Sequence, residues 1–363
     1  MPELMLLLAV IAGVAVVIFG VWAFQRHQYI QSLKERGWQF VDRPDISVAF
    51  GLNHPPFGSG FQRRVDDQIV GRAGDGTHFS AFKYETSEWR SPGYIVRMPL
   101  GRSLQPAQLA SPDGGAPITV DHDSIVLTGS PEGADELAAS IETLASVRSS
   151  FLSSAAGQLE GPPAPEGLSF VGRPHWTYIA RDDSYLDYVD ATLGGFNHEA
   201  HDIIVSPNSR IPFVRLTHRW QTRSTRTDSE GRTHTTTHNH RETLCQFRTT
   251  FPFPALSVNW GIVGAWQRFE WEEFNSRFKV RCGDSKFASD VMHQQQMEYL
   301  MRANPPGFLI ESNGVVRIGE GADWTVDEID WASSFLFGFF GHVPNFVWQQ
   351  LGAWPRPVPQ LEA

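Results

Sequence analysis

The sequence predicts an α+β protein, with an N-terminal transmembrane helix followed by two domains rich in antiparallel sheet that repeat one another loosely. Three observations predict it. Leu4 to Phe24 carries no ionisable side chain. Beyond residue 37, short strand-patterned segments alternate with Gly, Pro and Asn turn signals, and helical periodicity is confined to a few stretches. A run of small residues and prolines at 149–167 divides the remainder. The expected organisation is an anchor with its juxtamembrane helix at 1–36, a first domain at 37–148, a linker at 149–167, a second domain at 168–354 and a tail at 355–363.

The anchor comes first because its length decides its meaning. At about 1.5 Å per residue its 21 positions reach roughly 31 Å, enough for a hydrocarbon core of about 30 Å. Only Met1, Pro2 and Glu3 precede it, whereas Arg26, His27, Lys34, Arg36 and Arg43 follow. Positive charge stays on the cytoplasmic side, so the expected topology is a single pass through the cell membrane, amino terminus outside and body cytoplasmic. The alternative is a cleaved signal peptide, but the basic n-region, shorter apolar core and small-residue cleavage site that define one are not clear here.

Composition bounds the body. With 12 Trp and 25 Phe the chain has ample surface to bury, and wholesale disorder is excluded. Cys245 and Cys282 are too few for a disulfide framework and read as buried strand residues. A formal charge of −10 argues against a nucleic-acid partner.

In chain order, the juxtamembrane helix is expected to end at Gly37 and a strand to begin at Trp38. Gln68 to Tyr84 reads as a hairpin whose Gly74-Asp-Gly76 tip supplies positive-φ positions. The Gly71 to Gly76 run lacks the Lys-Ser/Thr ending of a phosphate loop. Strands are expected at Tyr94 to Leu100 and within Ile118 to Thr128, and a helix over Gly133 to Val147. A loose repeat follows: Trp38, Val41 and Asp45 match Trp176, Ile179 and Asp183 at an offset of 138, and Phe79 matches Phe213 at 134. Val126, Gly129, Ala134 and Leu137 match Val280, Gly283, Ala288 and Val291 at 154, which implies an insertion, with Arg223 to Arg241 the obvious one. Phe274, Phe278 and Val280 suggest a strand leading into a helix that starts at Gly283-Asp-Ser and stops at Pro305-Pro306; Ser312-Asn-Gly314 marks a hairpin.

The segment Glu273-Phe-Asn-Ser-Arg-Phe-Lys-Val280, with Asp284, Ala288, Met297 and Leu300, resembles the signature of bacterial, mainly actinobacterial, membrane-anchored proteins of unknown function. Phe57-Gly-x-Gly60, Val70-Gly-x-x-Gly74 and Phe79-x-Ala-Phe-x-Tyr84 are similar to the front part of such proteins, and Ser276 departs from the usual Arg. The resemblance implies an anchored α+β protein and no activity.

Candidate chemistry is sparse. In an extended Arg223 to Arg241, His234, His238 and His240 share a face, and three imidazoles on one face are a candidate site for zinc, nickel or copper. The competing reading is a solvated Thr-rich hairpin. His198-Glu-Ala-His201 has the wrong spacing for a metalloprotease helix, and Asp182, Asp183, Asp187 and Asp190 read as solvated acids. Trp331 to Trp354 is aromatic and nearly uncharged; a helix closing the second core is the first reading, with a membrane-interface helix and a docking surface as alternatives. The expected role is a non-enzymatic scaffold or partner-binding module at the membrane, contacting an unknown protein. The alternatives are a metal-dependent hydrolase using the three histidines, and an accessory subunit docked through the aromatic tail.

Overall fold

The computed structural model describes the chain apart from residues 1, 92, 111–116, 191, 228–229, 261–264, 320–322 and 361–363; the side chains of 2–13, 15, 16 and 265 are also outside the described set. The chain divides into two compact units, Met1–Pro174 and His175–Ala363. Each is α+β and centred on an antiparallel sheet.

In the first unit, α1 (Pro2–Glu35) runs continuously through the apolar stretch. It ends where Gly37 adopts φ +74°, and the Gly37 and Trp38 N–H groups return to the carbonyls of Lys34 and Leu33 at 2.9 and 3.0 Å. This Schellman closure lets the chain turn directly into the sheet. Among the described residues no helix is long and apolar enough to cross a membrane; the expectation for Leu4 to Phe24 falls partly outside them, since most of its first half has no described side chains.

The strands follow as β1 (Gln39–Val41), β2 (Arg64–Arg72), β3 (His78–Glu85), β4 (Tyr94–Pro99), β5 (Ala107–Leu109), β6 (Ile118–Asp121) and β7 (Ser124–Ser130), in sheet order β1-β2-β3-β4-β7-β6-β5. The hairpin read from Gln68 to Tyr84 is β2–β3, closed by a turn in which Gly76 has φ +83°. Helix α2 (Ala134–Ser153) lays Leu137, Ile141, Leu144 and Ala145 on the sheet beside Ile69, Phe79, Val96 and Leu127. Leu33 and Trp38 close the same core.

Residues 149–167, expected as a linker, lie within the first unit. Helix α2 continues through Ser153, and the chain beyond binds back on the first unit: the Gly161 N–H donates to the Ser103 carbonyl at 3.1 Å, the Gln105 N–H to Leu159 at 3.3 Å, and Arg102 to Gly157 at 2.6 Å. Its small residues and prolines permit that close course, and Gly161 lies so near Leu104 that a Cβ would meet its carbonyl at 2.1 Å.

The ten-stranded sheet contains β8 (Leu168–Phe170), β9 (Arg173–Arg181), β10 (Phe196–Ser206), β11 (Phe213–Thr227), β12 (Thr233–Arg248), β13 (Leu256–Val258), β14 (Ala265–Gln267), β15 (Val280–Cys282), β16 (Phe308–Ile310) and β17 (Val315–Ile318), all but β8 and the first residues of β9 belonging to the second unit. Its order is β14-β15-β13-β16-β17-β12-β11-β10-β9-β8. Helices α3 (Glu272–Arg277), α4 (Ser285–Val291), α5 (Gln294–Ala303), α6 (Val326–His342) and α7 (Asn345–Gln350) complete it. Phe274 belongs to α3 and not to a strand: Phe274 and Phe278 are four apart, the helical period, and their rings sit 5.2 Å from each other. The expected single helix after Asp284 is two, broken at Met292 and His293. In α6, Phe335, Leu336, Phe339 and Phe340 are buried, and Phe340 and α7's Trp348 both pack on Phe251 and Phe253.

The loose repeat is a topological one. Strands β9-β10-β11-β12-β17-β16-β13 reproduce the order β1-β2-β3-β4-β7-β6-β5, and α6 follows β17 as α2 follows β7. A short 3-10 turn capped by aspartate separates the first two strands in both, Asp45 accepting from the Ser47 N–H and Asp182 from the Ser184 N–H. The second strand of each carries a β-bulge at an aspartate with positive φ, Asp67 (+49°) and Asp202 (+50°). Trp38/Trp176 and Phe79/Phe213 thus fall at corresponding strands. The matches at offset 154 do not: Val126 in β7 corresponds to β17, not to Val280 in β15, and α2 corresponds to α6, not α4. The added length lies between β13 and β16, whereas Arg223 to Arg241 merely lengthens a hairpin already present in the repeat.

Two stability predictions follow from buried groups. Arg215 is 1% exposed; its guanidinium donates to the Asp202 carbonyl at 2.7 Å and to the Asp323 and Trp324 carbonyls at 3.2 Å, tying the approach to α6 onto the sheet. Arg215→Met leaves those acceptors unpaired and is expected to cost about 3 kcal/mol in chemical denaturation followed by Trp fluorescence. Burial pushes the Tyr84 phenol up to about 12, against the opposing pull of Arg63. An unfolded phenol ionises near pH ~10, so this contribution is complete below that pH and is lost progressively up to about 12. Between pH 9 and 11 the wild type should lose about 1 kcal/mol more than Tyr84→Phe.

Candidate functional site

Two polar clusters stand out, one in each unit. In the first, Asp121 ends β6 and His122 begins the turn to β7, adopting φ +57°. The turn faces the loop after Leu52. Asp121 Oδ2 accepts the backbone N–H groups of Asn53 and His54, both at 2.8 Å. Its Oδ1 lies 2.7 Å from His122 Nδ1 and 3.2 Å from His54 Nδ1. Asp121 is 1% exposed. Burial alone raises a carboxyl pKa, yet the bonds from His122, His54 and Asn53 outweigh it and hold Asp121 below its ordinary value. A buried, ionised carboxylate between two imidazoles results.

In the second unit the sheet pairs place side chains in rows. Register sets Trp220 opposite His240 and His218 opposite Glu242, while His198 arrives from β10. His218 Nδ1 lies 2.9 Å from Glu242 Oε1, and His218 Nε2 lies 2.9 Å from His198 Nδ1. The carboxylate only accepts, so His218 donates to it through Nδ1. The rings of His218, Trp220 and His240 stack at 4.6 and 5.0 Å. This ladder fixes the base of an arm. β10 pairs with β11 only as far as Gln221, so Thr222–Thr227 and Thr233–His238 pair with each other alone.

His234, His238 and His240 do share one face of β12, but they do not converge. At about 3.4 Å rise per residue, His234 and His240 lie roughly 20 Å apart along the strand. His240 Nε2 is 2.7 Å from Thr222 Oγ1 and His238 Nε2 2.8 Å from Ser224 Oγ, so each is engaged by its own cross-strand hydroxyl. His198 and His201 lie on a strand, and His201 pairs with Glu199 at 2.8 Å. Asp182 and Asp190 accept neighbouring N–H groups, and Asp183 bonds Arg181 at 2.9 Å, so these acids act as local caps. Cys245 and Cys282 are buried free thiols, and burial pushes both up and away from thiolate chemistry. Sequence reasoning missed His54 and Asp121–His122 because 67 positions separate them. The adjacent Asp-His pair between two strand patterns was the available signal.

Compared with known proteins, the chain matches no family model, no curated protein and no solved structure.

Because the backbone of Ser224–Thr227 and Thr233–Thr236 pairs only across β11 and β12 among the described residues, joining Arg223 to Thr237 by an Asn-Gly turn is expected to leave the denaturation midpoint within about 0.5 kcal/mol of wild type.

Proposed function

We propose that this chain is a single-pass, membrane-anchored partner-binding module, tethered by α1 with its amino terminus outside and its two sheet units in the cytoplasm. One observation carries the tether. Val14, Val17, Ile18, Phe19, Val21, Trp22 and Phe24 are each 52–67% exposed on α1. So dense an apolar surface on one helix end is unfavourable in water and suited to lipid. The basic boundary supports the same reading: the Arg26 guanidinium sits 5.4 Å from the Trp22 ring and bonds Asp42 and Asp67, at 2.9 Å for the latter. The helix thus leaves the proposed bilayer directly into the first sheet.

For partner contact the second unit offers two surfaces. Beyond Thr222 the arm is polar on both faces, the described Thr, Ser, His and Arg side chains of 223–239 being exposed. A half-open apolar cleft of about 300 Å³, lined by Tyr185, Tyr188, Val205, Pro212, Phe213 and Phe247, suits an apolar side chain of a bound peptide.

The test is membrane fractionation of the full chain expressed in bacteria. The full chain is expected to pellet with membranes and resist alkaline carbonate, and a chain lacking residues 2–25 to remain in the supernatant. Full-length protein released by carbonate would overturn the tether. Cross-linking in intact membranes should capture a protein neighbour with the wild type and lose it when the arm is shortened to Arg223–Asn-Gly–Thr237. Unchanged capture would overturn the arm as the contact.

A further inference from the structure

We propose that His54, Asp121 and His122 form a binding site for one divalent transition-metal ion of the zinc class. The inference goes beyond the tethered-module reading and does not depend on it.

The donor atoms are already gathered. One ligand atom from each of the three residues lies within 4.8 Å of the others. Metal–ligand bonds of about 2.0–2.2 Å place tetrahedral neighbours roughly 3.4 Å apart. The Asp121 Oδ1 to imidazole separations of 2.7 and 3.2 Å are therefore slightly short of a bound arrangement, and a small opening admits the ion. In that exchange the ion replaces the Nδ1 protons that otherwise bridge to Asp121, and those protons leave to solvent.

The supporting shell is also in place. Asp121 Oδ2 is held by two backbone N–H groups, which fixes the plane of the carboxylate and leaves Oδ1 for the ion. The adjacent Asn53 is 9% exposed, and its side-chain Oδ1 is buried without a hydrogen-bond partner. It is an unpartnered oxygen on the residue next to His54. Asp121 pairs directly with the two histidines, while Arg97 interacts with its charge without a direct ion pair. Access runs past His54, whose side chain is 38% exposed while that of His122 is 9% exposed.

Donor chemistry selects the class of ion. Two imidazole nitrogens and a carboxylate suit zinc, iron(II), nickel or copper, whereas calcium and magnesium prefer all-oxygen sets. The competing account is a purely structural clamp, in which Asp121 orders two turns by hydrogen bonds alone. That account predicts no metal.

The experiment is titration of the full chain, in detergent and stripped by chelator, with Co²⁺ followed by its visible d–d bands and with Zn²⁺ followed by calorimetry. One equivalent is expected. His54→Ala and His122→Ala should each weaken binding more than about a hundredfold, since even outer-shell changes cost 10–100-fold. The triple His234→Ala, His238→Ala, His240→Ala variant should bind as wild type. Circular dichroism reports folding in each case, and His54→Ala, at the more exposed ligand, keeps the comparison informative if His122→Ala misfolds. A folded wild type that binds neither ion, or binding that survives in folded His54→Ala, overturns the proposal. Membrane fractionation of His54→Ala should match wild type, so failure here is separable from failure of the tether.

Discussion

Both units depend on a bulge in the second strand of the sheet, where an aspartate is held at positive φ. An extra residue there bends the strand and frees one side chain from the ladder. Asp67 uses that freedom to reach Arg26 on α1 at 2.9 Å and Lys83 on β3 at 3.6 Å. Asp202 instead accepts the Tyr178 hydroxyl of β9 at 2.6 Å, while its carbonyl receives Arg215. One backbone irregularity therefore joins sheet to helix twice, to the proposed anchor in the first unit and to the approach to α6 in the second. Aspartate suits the position because its short polar side chain tolerates left-handed backbone better than most residues.

On this shared scaffold the two units place polar groups differently. The first gathers His54, Asp121 and His122 where a turn between strands meets a loop, with the carboxylate buried and its charge maintained by donors. The second spreads His198, His218, Trp220 and His240 across the face of neighbouring strands, where register alone aligns them. Loop meeting turn converges side chains on a point; strand rows extend them along a line. That difference is why the first arrangement brings its donor atoms within 4.8 Å of one another, while His234, His238 and His240 are spaced along β12.

Much of the fold was legible in local pattern. Gly74-Asp-Gly76 and Ser312-Asn-Gly314 marked their hairpins because tight turns need positive φ, which glycine supplies. Gly133 to Val147 showed the helix that α2 became, since its apolar residues face one sheet. Errors arose where one pattern has two meanings. Phe274 and Phe278 suit a strand by composition but a helix by spacing. The prolines of 149–167 suggested a spacer, yet they follow the surface of the first unit with hydrogen bonds on either side. In the repeat, two offsets tracked the strand order and the third landed inside the insertion between β13 and β16, because similarity of a few residues carries no information about which strand they occupy.

The sequence by itself determined the apolar helix, the antiparallel hairpins and the α+β class, all properties of neighbours a few residues apart. It also determined that the Thr/His segment is an extended, paired ribbon. Only the tertiary structure decided that the two sheets follow one strand order, that Arg215 reaches across more than a hundred positions to Asp323 and Trp324, and that Asp121 meets His54. Those contacts depend on non-local strand pairing, which fixes distance in space with no trace in local periodicity.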